Sequence, residues 1–253
     1  MNLSARASQL RALRKRVARV EGRGRRHGVL PFGDARVDSR LPGGGLPLGR
    51  WHELAGAGLE AETAASTAAF AAALAARLAG AGEIVWVLQR ADLHAPGAAA
   101  LGLPPGRLLL VEAGDDLEAL AALEDALRTT GVAAAVGEVE RLDLAAGRRL
   151  QLAGERTGAT GLVLRRRLFG LQRAAKAEAT AAATRWRIEP APSDPGAEPG
   201  LGPARWRVRL ERCQGGRPGA WIMEASDEAD PVRVVAELAD HGLAAPEPRR
   251  AVG

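Results

Sequence analysis

Between residues 50 and 164, short apolar runs alternate with longer stretches of helical periodicity. The runs at Arg50–Leu54, Glu83–Leu88, Leu108–Val111, Val132–Val136 and Gly161–Leu164 predict strands. Their lack of polar alternation predicts a parallel sheet buried on both faces. Residues 62–78 predict an alanine-rich helix closed by Gly80. A second helix starts at Asp115, with Glu118 completing a capping-box pair, and runs to about Thr130. A third spans Asp143 to Arg156 and stops at Gly158. Strands alternating with helices of this length predict an α/β fold, a mostly parallel sheet with helices on both sides.

The pattern changes after Arg165. Residues 165–183 read as a basic, alanine-rich connection containing Phe169 and Gly170. Thr184–Ile188 and Arg205–Leu210 alternate polar and apolar positions, as strands with one solvated face do. Between them, Pro190 to Pro203 carries five prolines and predicts a surface loop. Gly215 and Gly216 turn the chain into Ala220–Met223, predicting an antiparallel hairpin. Asp230 as a cap and Pro231 at a first helical position predict a final helix.

At the other end, residues 2–21 predict a basic amphipathic helix. Leu3, Leu10 and Val17 repeat every seven residues, as do Leu13 and Val20, giving a narrow apolar seam flanked by Arg6, Arg11, Arg14, Lys15, Arg16 and Arg19. Such a seam packs on its own domain or on a neighbouring subunit; its charges also suit nucleic acid or an acidic protein. Glycines from Gly22 to Gly28 then make a basic linker. The expected organisation is helix and linker over 1–32, an α/β core over 33–190, a Pro/Gly-rich loop over 191–203, and a hairpin and helix over 204–253.

Composition narrows the function. Hydrophobic content of 47% and charged content of 26% are those of a globular domain. The formal charge of +5 permits a nucleic-acid partner without requiring one. The single Cys213 excludes a disulfide framework or a cysteine zinc site and suits a reducing cytoplasm. No apolar run is read as a membrane span, so the expected location is cytoplasmic. His27, His52, His94 and His241 are scattered, which argues against a metal site. Thr63, Ser66 and His52 lack the context of a hydrolytic triad. The five tryptophans fall mostly in predicted strands and read as core; Trp186 and Trp206, flanked by arginines, also suit a stacking face.

The most informative segment is Leu54–Ser66. A phosphate-binding loop reads G-x-x-x-x-G-K-[ST] between a strand and a helix. Gly56 and Thr63 hold its outer positions, but Ala61 replaces the second glycine and Glu62 the lysine. The only lysines in the chain, Lys15 and Lys176, are far away in sequence. A carboxylate about 4 Å from a phosphate oxygen turns roughly 4 kcal/mol of attraction into repulsion at an effective dielectric of about 20. At about 1.4 kcal/mol per decade of affinity, no ordinary ATP site survives, and no cofactor is expected. Glu60 and Glu62 in the first helical turn also complement the helix dipole by about 0.3–1 kcal/mol each, stabilising an empty loop.

Several blocks in order resemble the core of the RecA recombinase family. Leu41-Pro-Gly-Gly-Gly-Leu-Pro-Leu-Gly-Arg50 is similar to the glycine-rich turn that precedes the family's P-loop strand. By that resemblance, Gln89 stands where active relatives carry a catalytic glutamate, and Gly137 where the magnesium-side aspartate of the Walker B strand belongs. Loss of all three groups removes the parts used for phosphoryl transfer. Within that set the chain is most similar to the ImuA family, on the basic N-terminal helix, Leu41–Arg50, Trp51-His-Glu-Leu54, the defective loop, Arg148–Leu164, Thr184-Arg-Trp-Arg and Arg205-Trp-Arg-Val.

This resemblance implies a non-catalytic accessory role in SOS-induced translesion synthesis. The implied partners are an ImuB-type polymerase-like protein and a DnaE2-type error-prone polymerase, with RecA and DNA as further candidates. It also implies that the N-terminal helix mediates self-association, as RecA-like arms do, or docks on the polymerase-like partner. Arg165, Arg166, Arg167, Arg173 and Lys176 occupy the segment matching RecA's DNA-contacting loop and are the candidate DNA contacts. Two other readings compete. One is a divergent ATPase using Glu138 with Arg90 or Arg141; the other is a division inhibitor similar to SulA.

Overall fold

The computed structural model describes residues 27–166, 180–195, 200, 202–226 and 231–238. The N-terminal seam of Leu3, Leu10, Leu13, Val17 and Val20 therefore lies outside the described residues. So do Arg167, Arg173 and Lys176.

The chain opens with a small ladder in which β1 (Val29–Leu30) pairs antiparallel with β2 (Leu46–Pro47). The glycine-rich turn between them needs its glycines. Gly43 and Gly44 sit at φ of +75° and +82°, and a Cβ on Gly45 would lie 2.6 Å from the Leu30 carbonyl oxygen. The short helix α1 (Ala35–Asp38) lies within this segment, capped by Asp34.

The remaining strands form one nine-stranded sheet. They are β3 (Trp51–Gly56), β4 (Glu83–Leu88), β5 (Leu108–Glu112), β6 (Val132–Val139), β7 (Thr160–Arg165), β8 (Thr184–Ala191), β9 (Arg205–Cys213), β10 (Gly219–Ala225) and β11 (Val232–Glu237). Their order is β11-β10-β9-β8-β3-β7-β6-β4-β5. The six strands from β8 to β5 pair in parallel, and β9, β10 and β11 continue the sheet antiparallel. The molecule is thus an α/β protein with a mostly parallel mixed sheet and an antiparallel C-terminal extension.

Four further helices cover the sheet: α2 (Glu60–Leu78), α3 (Ala95–Ala100), α4 (Asp116–Arg128) and α5 (Leu144–Thr157). Asp115 caps α4 through the Leu117 and Glu118 amides, each at 2.9 Å, and Glu118 reaches back to the Gly114 amide at 2.8 Å. One core layer joins α2 to nearly the whole sheet, from Leu54, Trp86 and Val136 to Trp186, Trp206, Trp221 and Val234. The other joins α4 and α5 to the parallel half alone, through Trp51, Val85, Val87, Ala135 and Val163. Helices cover both faces of β3, β7, β6 and β4, and β8 to β11 have one helical layer among the described residues. Edge strand β5 leaves Leu109 and Leu110 about half exposed, contrary to the expectation of burial on both faces.

Residues Glu60–Ala81 have the length and mean hydropathy, 1.3, of a membrane span, contrary to the sequence expectation. The sheet accounts for that composition, because Phe70, Ala71, Ala73, Leu74 and Ala75 are fully buried against it. A second correction concerns the C-terminus. Val232–Glu237 is a strand rather than the helix expected after Asp230 and Pro231. Its alternation buries Val232 and Val234 while leaving Arg233 and Val235 exposed, and pairing with β10 rewards that period of two. All five tryptophans are at most 1% exposed, so Trp186 and Trp206 offer no stacking face.

Beneath β3, His52 closes a hydrogen-bond chain. Trp186 Nε1 donates to Thr184 Oγ1 at 2.6 Å, and Thr184 Oγ1 lies 2.7 Å from His52 Nδ1. His52 Nε2 donates to the Pro47 carbonyl at 3.0 Å. With no exposed surface, burial pushes the imidazole down to about 4 and keeps it neutral.

Candidate functional site

The loop between β3 and α2 is short and closed. Only Ala57, Gly58 and Leu59 separate β3 from α2, and Leu59 at the N-cap provides no side-chain acceptor. Thr63 Oγ1 donates back to the Leu59 carbonyl at 3.0 Å, so its hydroxyl is spent inside the helix. It also packs against Gly56, where a Cβ would fall 2.0 Å from Thr63 Oγ1. Ala61 and Glu62, the two positions that depart from the phosphate-loop pattern expected from the sequence, are exposed.

Glu60 turns the other way, into an ion-pair cluster at the C-terminal ends of β3, β4, β6 and β7. Open parallel sheets ordinarily bind ligands outside these strand ends. Arg166, the residue after β7, fills the centre. Its Nε donates to Glu60 at 2.6 Å, one terminal nitrogen to Glu138 at 2.9 Å and Asp92 at 3.0 Å, and the other to Asp92 at 2.9 Å. Arg90 adds a contact to Glu60 at 3.2 Å and a longer one to Asp92 at 3.6 Å. The Arg166 side chain is 13% exposed and Glu138 3%. What space remains beside Gln89, Arg90, Glu138, Glu140 and Arg166 is about 20 Å³, room for one water.

The charges regulate one another. The hydrogen bond from Arg166 holds Asp92 below the usual carboxylate range. Burial pushes Glu138 up, and Arg166 only partly offsets that. Burial also works against the Arg166 charge, but the bonds to Asp92 and Glu60 outweigh it and raise its pKa. Three carboxylates and two guanidiniums leave a formal charge of −1, which a proton on Glu138 would cancel.

Two sequence assignments change here. β6 continues to Val139, so Gly137 lies inside a strand, and a Cβ there would meet Leu123 of α4 at 2.4 Å. Gly137 therefore faces α4, away from the loop, and is glycine because Leu123 packs over it. The next residue, Glu138, faces the loop side, toward Arg166. Gln89 also turns away, donating to Asp116 at 2.6 Å and to the Glu138 carbonyl at 3.0 Å. Asp116 collects this donor with the Glu140 and Arg141 amides at 2.8 and 2.7 Å, tying β4, β6 and α4 together. As for the candidate DNA contacts, Arg166 is turned inward and consumed by carboxylates, and Arg165 is the half-exposed last residue of β7. Asp92 and Asp116 carried no motif, although Asp92 follows Gln89 and Arg90 closely enough to share their strand end. Among the described residues, no group of His, Cys, Asp and Glu side chains has the arrangement of a metal site.

This is an α/β protein whose parallel strand ends are occupied by its own charged side chains. The chain is 53% identical over 234 residues to Protein ImuA of Caulobacter vibrioides strain NA1000 / CB15N, covering 89% of this chain and 96% of that protein. The match to Protein ImuA of strain ATCC 19089 / CIP 103742 / CB 15 has the same identity and coverage. No family model matches the chain. The chain belongs to the ImuA family.

Proposed function

We propose that this chain is a non-catalytic accessory protein of damage-inducible translesion synthesis, one that binds proteins rather than turning over nucleotide. Family membership supports the damage-response setting. The lack of chemistry rests on one observation: Arg166 and its three carboxylates occupy the strand ends beside a loop without lysine. A nucleotide phosphate entering there would meet Glu60, Asp92 and Glu138 and would have to strip Arg166 from all three. The partners in this reading are an ImuB-type polymerase-like protein and a DnaE2-type polymerase in the cytoplasm, with RecA and DNA as secondary candidates.

Calorimetric titration of the full chain with magnesium-ATP to millimolar concentration tests the first half, and no heat of binding is expected. Deletion of the chain should lower damage-induced mutation frequency, which tests the second. One observation favours a rival: Glu138 faces the loop and lies close to Arg90, as a divergent ATPase would require. Magnesium-dependent hydrolysis abolished by Glu138→Gln would establish that rival instead.

A further inference from the structure

The face of β8–β11 opposite α2 has no covering layer among the described residues, yet its chemistry is specific. Arg187, Glu189, Arg205, Arg207, Arg209, Ala220, Ile222 and Glu224 lie there, by the strand register. Arg187 is directly opposite Arg209, an arrangement that costs stability unless an anion offsets it. Arg187 already pairs with Glu211, Arg205 with Glu224, and Arg233 with Glu224. Arg207 and Arg209 are exposed, and their side chains make no hydrogen bond or ion pair among the described residues. Directly across from them on β10 stand Ile222 and Ala220, both half-exposed, with Val235 39% exposed on β11.

We propose that this face is the docking surface for an acidic amphipathic segment of another protein, a partner surface that rests on the adaptor reading above. Free guanidiniums beside aliphatic side chains match such a segment: carboxylates pair with Arg207 and Arg209 while its apolar residues cover Ile222 and Val235. Of the chain's own segments outside the described residues, 227–230 is acidic through Asp227, Glu228 and Asp230 but is only four residues long and has no aliphatic residue larger than alanine, and the longer ones lack the charge. Residues 1–26 are strongly basic, 167–179 carry Arg167, Arg173 and Lys176 against Glu178, and 239–253 balance Asp240 and Glu247 with Arg249 and Arg250. Nucleic acid fits less well. Every tryptophan is buried, leaving none here for base stacking, and Glu189 and Glu211 interrupt the arginines where phosphates would lie.

The test places the photo-crosslinking residue benzoylphenylalanine at Ile222 of the full-length chain in cells treated with a DNA-damaging agent. Adducts are identified by mass spectrometry. The expected adduct is a peptide of another protein with net negative charge and regularly spaced aliphatic residues. Arg207→Glu with Arg209→Glu should abolish it while leaving the protein folded by circular dichroism, because the opposite charge gained across from Arg187 offsets the one lost across from Glu189. The captured peptide, synthesised and titrated by anisotropy, should bind the double variant about 30-fold more weakly. No adduct, or one to nucleic acid, to a second copy or to another part of this chain, overturns the proposal. So does an adduct that survives charge reversal. Mutagenesis unaffected by deleting the chain would instead sink the adaptor reading, whatever Ile222 captures.

Discussion

Replacing Arg166 by methionine removes the centre of the ion cluster while keeping its aliphatic stem. The lost guanidinium makes four hydrogen bonds of 2.6–3.0 Å to three carboxylates. Breaking a buried pair by deleting one partner costs about 3–5 kcal/mol. Arg90 stays near Glu60 and Asp92, so the lower end applies, while Glu138 keeps only burial acting on it. A cost of about 3 kcal/mol corresponds to a melting temperature lower by about 6–12 °C in a chain of this size. The cost must depend on pH. Glu138 in the variant titrates further above its unfolded value, so its contribution is present at low pH and lost as pH rises through the folded pKa. The variant should therefore lose more stability near pH 8 than near pH 5. Glu138→Gln added to Arg166→Met should remove that pH dependence and recover about 1–3 kcal/mol as a coupling energy. Urea unfolding followed by tryptophan fluorescence measures the parent, Arg166→Met, Glu138→Gln and the double variant. A methionine variant within about 1 kcal/mol of the parent, or costs that simply add, would refute the claim that Arg166 holds the crevice shut.

Other expectations follow from neighbouring geometry. His52 titrates near 4 when folded against 6.5 as a free side chain, so the unfolded chain takes up its proton first. Stability should fall by about 3 kcal/mol as pH drops from 6.5 to 4, and the imidazole proton resonances should stay in their neutral positions down to about pH 5. Gly137→Asp should cost about 4 kcal/mol or more in urea unfolding by driving a Cβ into Leu123 and burying a carboxylate with no partner there, and magnesium-ATP titration of the variant should show no gain in binding. Ala61→Gly with Glu62→Lys should leave the protein without ATPase activity, because both positions are exposed while Arg166 still occupies the strand ends; turnover in a phosphate-release assay would count against that.

How much of this was written in the sequence depends on the range of the interaction. Continuous apolar runs identified β3, β4, β5, β6 and β7, and the Asp115–Glu118 cap appeared at α4 as its spacing implied. Strand length was harder. Reading β6 as ending at Val136 left Gly137 in a loop, whereas three more paired residues fix its direction toward α4 and that of Glu138 toward the loop. β11 misled because Asp230 and Pro231 are good helix starters; the β10 edge decided the outcome, and a local pattern does not contain it. The candidate site was legible only in pieces: Glu60, Arg90, Glu138 and Arg166 were each singled out, but for separate roles. Their meeting was hidden because Arg166 is separated from Glu60 by 106 positions and from Asp92 by 74.

The position of β3 has a consequence for synthesis. It is made early, but its two neighbours are β7 and β8, so neither edge is paired until residues beyond 160 have emerged. At about 5–20 residues per second, an apolar strand containing Trp51 and Leu54 waits roughly 5–20 seconds for its first partner. The nascent chain carries a fully buried strand open while the roughly 100 residues between β3 and β7 are made. Events that slow the ribosome between α2 and β7 lengthen that exposure directly.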